Sequence, residues 1–451
     1  MKSIWTFLKR SARVCALGLG CMQAAHAVLP IQHWQQASGA RVYLVESHNI
    51  PMLDVQIDLD AGGRRDPADK PGLASAAAGQ LSSGIRAQPG GHGTYAKALS
   101  ENQLGEAWAD LGASFSAAAT ADRLTFSLRS LSDASLLDKA VTLAARQMAH
   151  PAYPEAVWSR DREKTAAAIR ESLTRPGTVA QLRFAQAVYG GHPYGWRSTP
   201  ESLQRVSVAD LQRWHAQALR PCRAVVSVVG DVTRAQADAL VTRLLALWPQ
   251  GRCEPLPSVS EVPALSSAQD IRVPFDSAQA HVLIGQPGYK RNDPDFFALL
   301  LGNHILGGGG FTSRLTSEVR EKRGLSYSVY SYFSPGLHAG PFAVGLQTRP
   351  DQAGQAVEVA RQVLSDFVSK GPTEAELQAA KDNLVGGFAL RIDTNRKLLD
   401  NVASMAWNQL PLDYLDRWSE SVNKVTSSDI RHAFSRVLQP DRMVTVVVGG
   451  R

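Results

Sequence analysis

Ser207-Val-Ala-Asp210-Leu-Gln, Pro221 and Ala224-Val-Val-Ser-Val-Val229-Gly230 stand near the middle of the chain, and Ser427-Ser-Asp429-Ile-Arg, Pro440 and Met443-Val-Thr-Val-Val-Val448-Gly449 stand near its end. Asp210 and Asp429, Pro221 and Pro440, and Gly230 and Gly449 are each separated by 219 residues. Three anchors at one offset indicate duplication of a unit of about that size. Each copy closes in the same way: a capped helix, a proline that cannot continue it, and a Val-rich run short enough to be a buried strand.

Outward from these anchors, each unit opens with strand patterns, at residues 41–46 and 53–59 in the first and 271–274 and 281–285 in the second. Helical periodicity follows at 132–149, 155–173 and 373–390. Strands followed by helical runs in each unit predict an α+β fold of two homologous halves, each a mostly antiparallel or mixed sheet covered on one face by helices. Residues 253–269 are rich in Pro, Ser and Glu without periodicity and read as a linker, so the expected domains are 28–252 and 270–451.

The first 27 residues differ from the rest. Lys2, Lys9, Arg10 and Arg13 precede or enter a short apolar run, and Ala25-His26-Ala27 follows, the pattern of a secretory signal peptide cleaved after Ala27. That segment holds four of the basic residues and no acidic one, so the formal +7 of the whole chain falls to +3 without it. A near-neutral remainder gives no case for nucleic acid despite a calculated pI of 9.3. Export, with the periplasm as the expected destination, would permit a disulfide between Cys222 and Cys253, the two cysteines beyond the signal. No later stretch is apolar for long enough to span a membrane.

Several short segments then recur in a telling order. They are Gly72-Leu73-Ala74, His192-Pro193-Tyr194-Gly195 and Asp210-Leu211 running to Gly230-Asp231 in the first half. In the second they are Leu306-Gly307-Gly308, Ser313-Arg314-Leu315 and Arg320-Glu-Lys-Arg-Gly324-Leu-Ser-Tyr327. On these segments the chain resembles the pitrilysin family of zinc peptidases, which includes insulin-degrading enzymes and mitochondrial processing peptidases. Active members carry H-x-x-E-H on a helix after the Gly-Leu-Ala segment: two imidazoles four apart hold zinc and the glutamate between them is the general base. Here those positions read Ser75-Ala76-Ala77-Ala78-Gly79. Ser75 and Gly79 offer no imidazole, Ala78 cannot accept a proton, and the further glutamate ligand would fall at Arg170 or Glu171. No zinc is therefore expected in this chain. The histidines elsewhere are scattered, no G-x-S-x-G elbow occurs, and the Gly307–Gly310 tract lacks the Lys-Ser/Thr of a phosphate loop and reads as a flexible turn.

The second half keeps more. Arg320 closes a helical pattern, Gly324 suits a helix end, and residues 325–333 alternate as a strand. The resemblance implies that Arg320 and Tyr327, seven apart, bind the substrate backbone near the scissile carbonyl. The plainer alternative makes Tyr327 a core tyrosine and Arg320 a solvated helix end. With the zinc half lost and the substrate-clamping half kept, the chain looks like the exported non-catalytic subunit of a heterodimeric zinc endopeptidase, completed by a homologous partner that bears zinc. Two rivals remain at this point: a scaffold or binding subunit without enzymatic role, and a peptidase active alone.

Overall fold

The computed structural model describes residues 30–89 and 95–450, so the expected signal peptide lies outside the described residues. The strands used below are β1 Gln32–Gln35, β2 Arg41–Glu46, β3 Met52–Leu59, β4 Ser114–Ala119, β5 Leu124–Leu131 and β6 Val225–Gly230 in the first half. In the second they are β7 Gln269–Val273, β8 Ala280–Pro287, β9 Ser328–Phe333, β10 Pro341–Thr348 and β11 Val444–Val448.

The first sheet runs β1-β2-β6-β3-β5-β4 and the second β7-β11-β8-β10-β9. In each, the closing Val-rich strand is inserted parallel to the opening one, β6 beside β2 and β11 beside β7, and the remaining pairings are antiparallel. From β2 and β7 onward the two sheets therefore have one topology, and β1 is an addition to the first. The fold is α+β, with two homologous halves.

The duplicated anchors take the form that their chemistry predicts. Ser207 caps α3 (Val208–Ala218) through a capping box closed by Asp210, and Thr426 caps α5 (Ser427–Val437) through one closed by Asp429. A reciprocal box satisfies donors that a helix start otherwise leaves orphaned. Pro221 and Pro440 each open a short 3-10 turn that feeds β6 and β11.

One expectation is corrected. The sheets are not covered on one face only. Helix α2 (Pro176–Tyr189) belongs to the first half, yet Ala180, Phe184, Ala185 and Val188 pack with Leu283, Ala343, Val444, Val446 and Val448 of the second sheet. Helix α4 (Asn395–Trp407) belongs to the second half, yet Leu398, Leu399, Val402 and Met405 pack with Tyr43, Val45, Val225 and Val229 of the first. The two helices begin 219 residues apart, so the exchange is reciprocal and follows the duplication. Strands buried on both faces carry near-continuous apolar runs instead of alternation, and β6 and β11 are Val-rich and buried throughout, each interrupted by one hydroxyl residue, Ser227 or Thr445. The segment before β7 has no regular structure over residues 252–265. It is held to the first half by the Cys222–Cys253 disulfide, with Cα atoms 6.0 Å apart, and by Arg65 donating to Pro257 O at 2.9 Å.

Candidate functional site

Helix α1 (Leu73–Gly79) holds the positions that the resemblance matches to the zinc motif. Its start is fixed by Asp66, whose carboxylate accepts hydrogen bonds from Gly72 N at 2.7 Å and Ala74 N at 2.9 Å. Burial lifts the Asp66 carboxyl to about 6, against the pull of those amides. Leu73, Ala74, Ala77 and Ala78 point into the core, and Ser75 and Gly79, four apart, share the exposed face. The helix thus keeps the spacing of a ligand pair but presents a hydroxyl and a hydrogen atom. Ala78, the position of the base, is only 2% exposed, with its methyl in the core. Arg170 and Glu171 are exposed on the helix Glu155–Ser172. Among the described residues no three His, Cys, Asp or Glu side chains come together as a metal site. These residues do not fit zinc, and no step is derived through it.

His192 is structural. Its ring joins Ser260 O at 2.9 Å and accepts from Tyr194 N at 3.1 Å, and burial holds its pKa below the usual value. Ser421-Val-Asn-Lys424 has the S-x-x-K spacing of a serine nucleophile and its lysine, but it falls on a plain helix, Trp418–Lys424.

Arg320 and Tyr327 are brought together. Arg320 lies in a π-helical turn, Thr316–Glu321, and Gly324, with φ +61°, reverses the chain so that its N–H bonds Arg320 O at 2.9 Å. Strand β9 begins at Ser328, later than its alternation suggested, and Tyr327 is the residue before it. The Arg320 guanidinium carbon stands 5.1 Å from the Tyr327 ring centre and 4.8 Å from that of Phe311. Tyr327 is 81% exposed, which excludes a core role, and Phe311 is 68% exposed. The guanidinium faces these rings, and among the described residues it has no carboxylate partner, so its N–H edge can meet a carbonyl or an anion.

Phe311 was not singled out from sequence; the only signal was a bulky aromatic directly after a glycine tract. That tract is a shaped turn and not a flexible one. A Cβ on Gly307 would sit 2.5 Å from Ser331 N, and Gly310 holds φ +64°. Asn303 and Ser331 clasp the turn to β9, with Ser331 Oγ donating to Asn303 Oδ1 at 2.8 Å. The zinc-position helix and the Arg320 cluster sit on different halves, and no hydrogen bond, ion pair or ring contact joins them among the described residues.

Comparison with known proteins bears on family and fold. Residues 205–384 match a family model described as the peptidase M16 inactive domain. A crystal structure of a peptidase M16 inactive domain from Pseudomonas fluorescens superposes with a TM-score of 0.87 at 32% identity, covering 94% of this chain and 98% of that one. The non-peptidase homolog YmxG of Helicobacter pylori is 26% identical over 88% of this chain and 89% of its own length. An uncharacterized zinc protease of Mycobacterium leprae is 30% identical over 59% of this chain, and the match spans 60% of that protein.

Proposed function

The chain belongs to the peptidase M16 family, and on that premise we propose that it is the non-catalytic subunit of a zinc endopeptidase, clamping an extended peptide for a homologous partner that carries the zinc. The observation that carries this reading is the asymmetry between the two halves. Positions 75, 78 and 79 hold no ligand or base, while Arg320 and Tyr327 stand together at the surface with no acidic partner among the described residues.

A fixed guanidinium and a phenol suit a polarised peptide carbonyl. Both donate hydrogen bonds, and their positions are set before substrate arrives. Zinc and its activated water would be the partner's contribution. Strand β9, next to Tyr327, is an edge of its sheet, and a sheet edge is where an extended chain can pair, although Ser331 O within it already accepts from Asn303 Nδ2 at 3.3 Å. Export to the periplasm, proposed from the first 27 residues, is compatible with the Cys222–Cys253 disulfide, since such bonds persist in oxidising compartments.

The name of the Helicobacter relative favours a second reading, in which the chain scaffolds or binds without serving a peptidase. The two readings separate on Tyr327→Phe. Mixed with a zinc-motif homologue from the same source, this variant should assemble normally and lose about a hundredfold in peptide turnover, the usual effect of removing one oxyanion-type donor. Unchanged turnover by an intact assembly would remove the clamp reading and leave the scaffold.

A further inference from the structure

We propose that a cavity in the first half, between the C-terminal end of the helix Ala134–Ala149 and α3, binds a small organic carboxylate with an apolar body. Its lining residues all belong to the first half, away from Arg320 and Tyr327, and the inference does not rest on the clamp reading.

The cavity measures about 270 Å³. Pockets that take drug-sized ligands run from about 300 Å³ upward, so the occupant here is small. Two chain segments build it. Arg86 N donates to His150 O at 3.0 Å, and Ile85 bridges Pro151, which fixes Arg86 beside the helix end. From α3, His215 joins Met148 O at 2.7 Å, and its ring meets that of Tyr153 edge-on with centres 5.9 Å apart. Tyr153 holds φ +45°. A bulky residue keeps that conformation only where its surroundings impose it, and such strain clusters at ligand sites.

The polar side chains lining the cavity are Arg86, His150, Tyr153, Gln212 and His215, and none is acidic. Arg86 has no carboxylate partner among the described residues. Among those residues, the charges acting on the three titratable groups beside it are all positive: Arg86 on His150, Tyr153 and His215, Arg146 on His150, and His150 on His215. Burial, and then these cations, hold both imidazoles below the usual histidine value. Trp248 also lines the cavity, and its buried indole N–H has no acceptor among the described residues.

A guanidinium with no acid to answer it suits a carboxylate, which accepts two parallel hydrogen bonds from one such group. The remaining wall is apolar, with Leu219, Trp248 and the 43% exposed Leu247. An acid carrying one ring or a branched chain fits both parts. A bare inorganic anion leaves the apolar wall unused, and a cation meets repulsion from Arg86.

The test is isothermal titration calorimetry of the full chain with phenylacetate, phenylacetamide, phenethylammonium and sulfate at one ionic strength. Phenylacetate should bind at least about tenfold more tightly than the neutral amide, the margin that a charge-assisted hydrogen bond supplies. Sulfate should be weaker than phenylacetate by a similar factor, and phenethylammonium should not bind. Arg86→Gln, at an exposed position, should keep the wild-type Tm and lose about tenfold in phenylacetate affinity, and Arg86→Lys should recover part of the loss. Phenylacetate should also shift the ring-proton NMR signals of His150, identified by their loss in His150→Gln. Equal binding of the amide or of sulfate overturns the ligand class. Unchanged affinity in Arg86→Gln, or unshifted His150 signals, overturns the site, and so does the absence of saturable phenylacetate binding up to about 10 mM.

Discussion

Asp122, at the tip of the β4–β5 hairpin, accepts a hydrogen bond from Leu337 N at 3.0 Å, at the tip of the β9–β10 hairpin, so the edge hairpins of the two sheets meet end to end. The same carboxylate accepts from the Tyr194 phenol at 2.7 and 2.8 Å, and that phenol accepts from His338 N at 3.0 Å. Arg64, its side chain 3% exposed, reaches Asp122 at 3.0 Å and Asp60 at 2.6 Å.

Asp122→Ala should therefore be far more damaging than a surface substitution. It leaves a buried guanidinium with Asp60 alone and takes the acceptor from a phenol and a backbone N–H where the hairpin tips touch. Breaking one side of a buried charge pair costs about 3–5 kcal/mol. Equilibrium denaturation of the variant should register a loss of that order, and a loss below about 1 kcal/mol would mean that the tips are not coupled through Asp122.

His215 gives the fold an acid-sensitive point. Burial lowers its pKa to about 4, with its ring held by Met148 O at 2.7 Å. A histidine with a depressed folded-state pKa favours the native state while it is neutral. Its contribution is whole above the unfolded value near 6.5 and is lost as pH falls from there toward 4. The loss should be on the order of 3 kcal/mol. Asp66 acts in the opposite sense, because its raised carboxyl gains stability for the fold as it protonates below about 6. Unfolding of wild type and His215→Gln should be compared across this range, since Asp66 is common to both. Parallel curves would exclude the His215 contribution.

Reduction of the Cys222–Cys253 disulfide releases a loop with a sequence separation of 31 residues. The entropy of that loop in the unfolded chain predicts a destabilisation of about 3–4 kcal/mol. The double Cys→Ser variant should unfold at correspondingly lower denaturant and should no longer respond to dithiothreitol.

Rebuilding the lost motif should not rebuild an enzyme. The combined change Ser75→His, Ala78→Glu, Gly79→His places two imidazoles on the exposed face of α1, but Ala78 is enclosed and a glutamate there must enter the core. Overpacking and carboxylate burial should lower stability by about 1–3 kcal/mol. Zinc content and peptide cleavage of this variant alone should stay at background, and stoichiometric zinc with cleavage would show that the scaffold still holds a third ligand in place.

What the sequence made legible was local or repeated. The two capped helices, the proline breaks at 221 and 440, and the two Val-rich strands needed only neighbouring residues, and the common offset related them, although the second cap is Thr426, one residue before the quoted Ser427. The missing donors at positions 75, 78 and 79 were likewise visible by residue type. Tyr327 beside Arg320 was expected only through family resemblance, because nothing in their spacing fixes the chain reversal at Gly324. The exchange of α2 and α4 was hidden, since an apolar helix face announces that it will be buried but not against which sheet. The glycine tract misled for a related reason. Its residues permit flexibility, and only the contacts of Gly307 with Ser331 reveal that they are spent on close packing.

The exchanged helices also make each half an incomplete folding unit. The last strand of the first sheet ends at Gly230, but the helix that seals its second face begins at Asn395. The first half folded by itself would therefore leave Val45, Val225 and Val229 without their cover. A chain cut between the halves should yield two sticky, unsealed sheets, and the protein gains its solubility only as a whole.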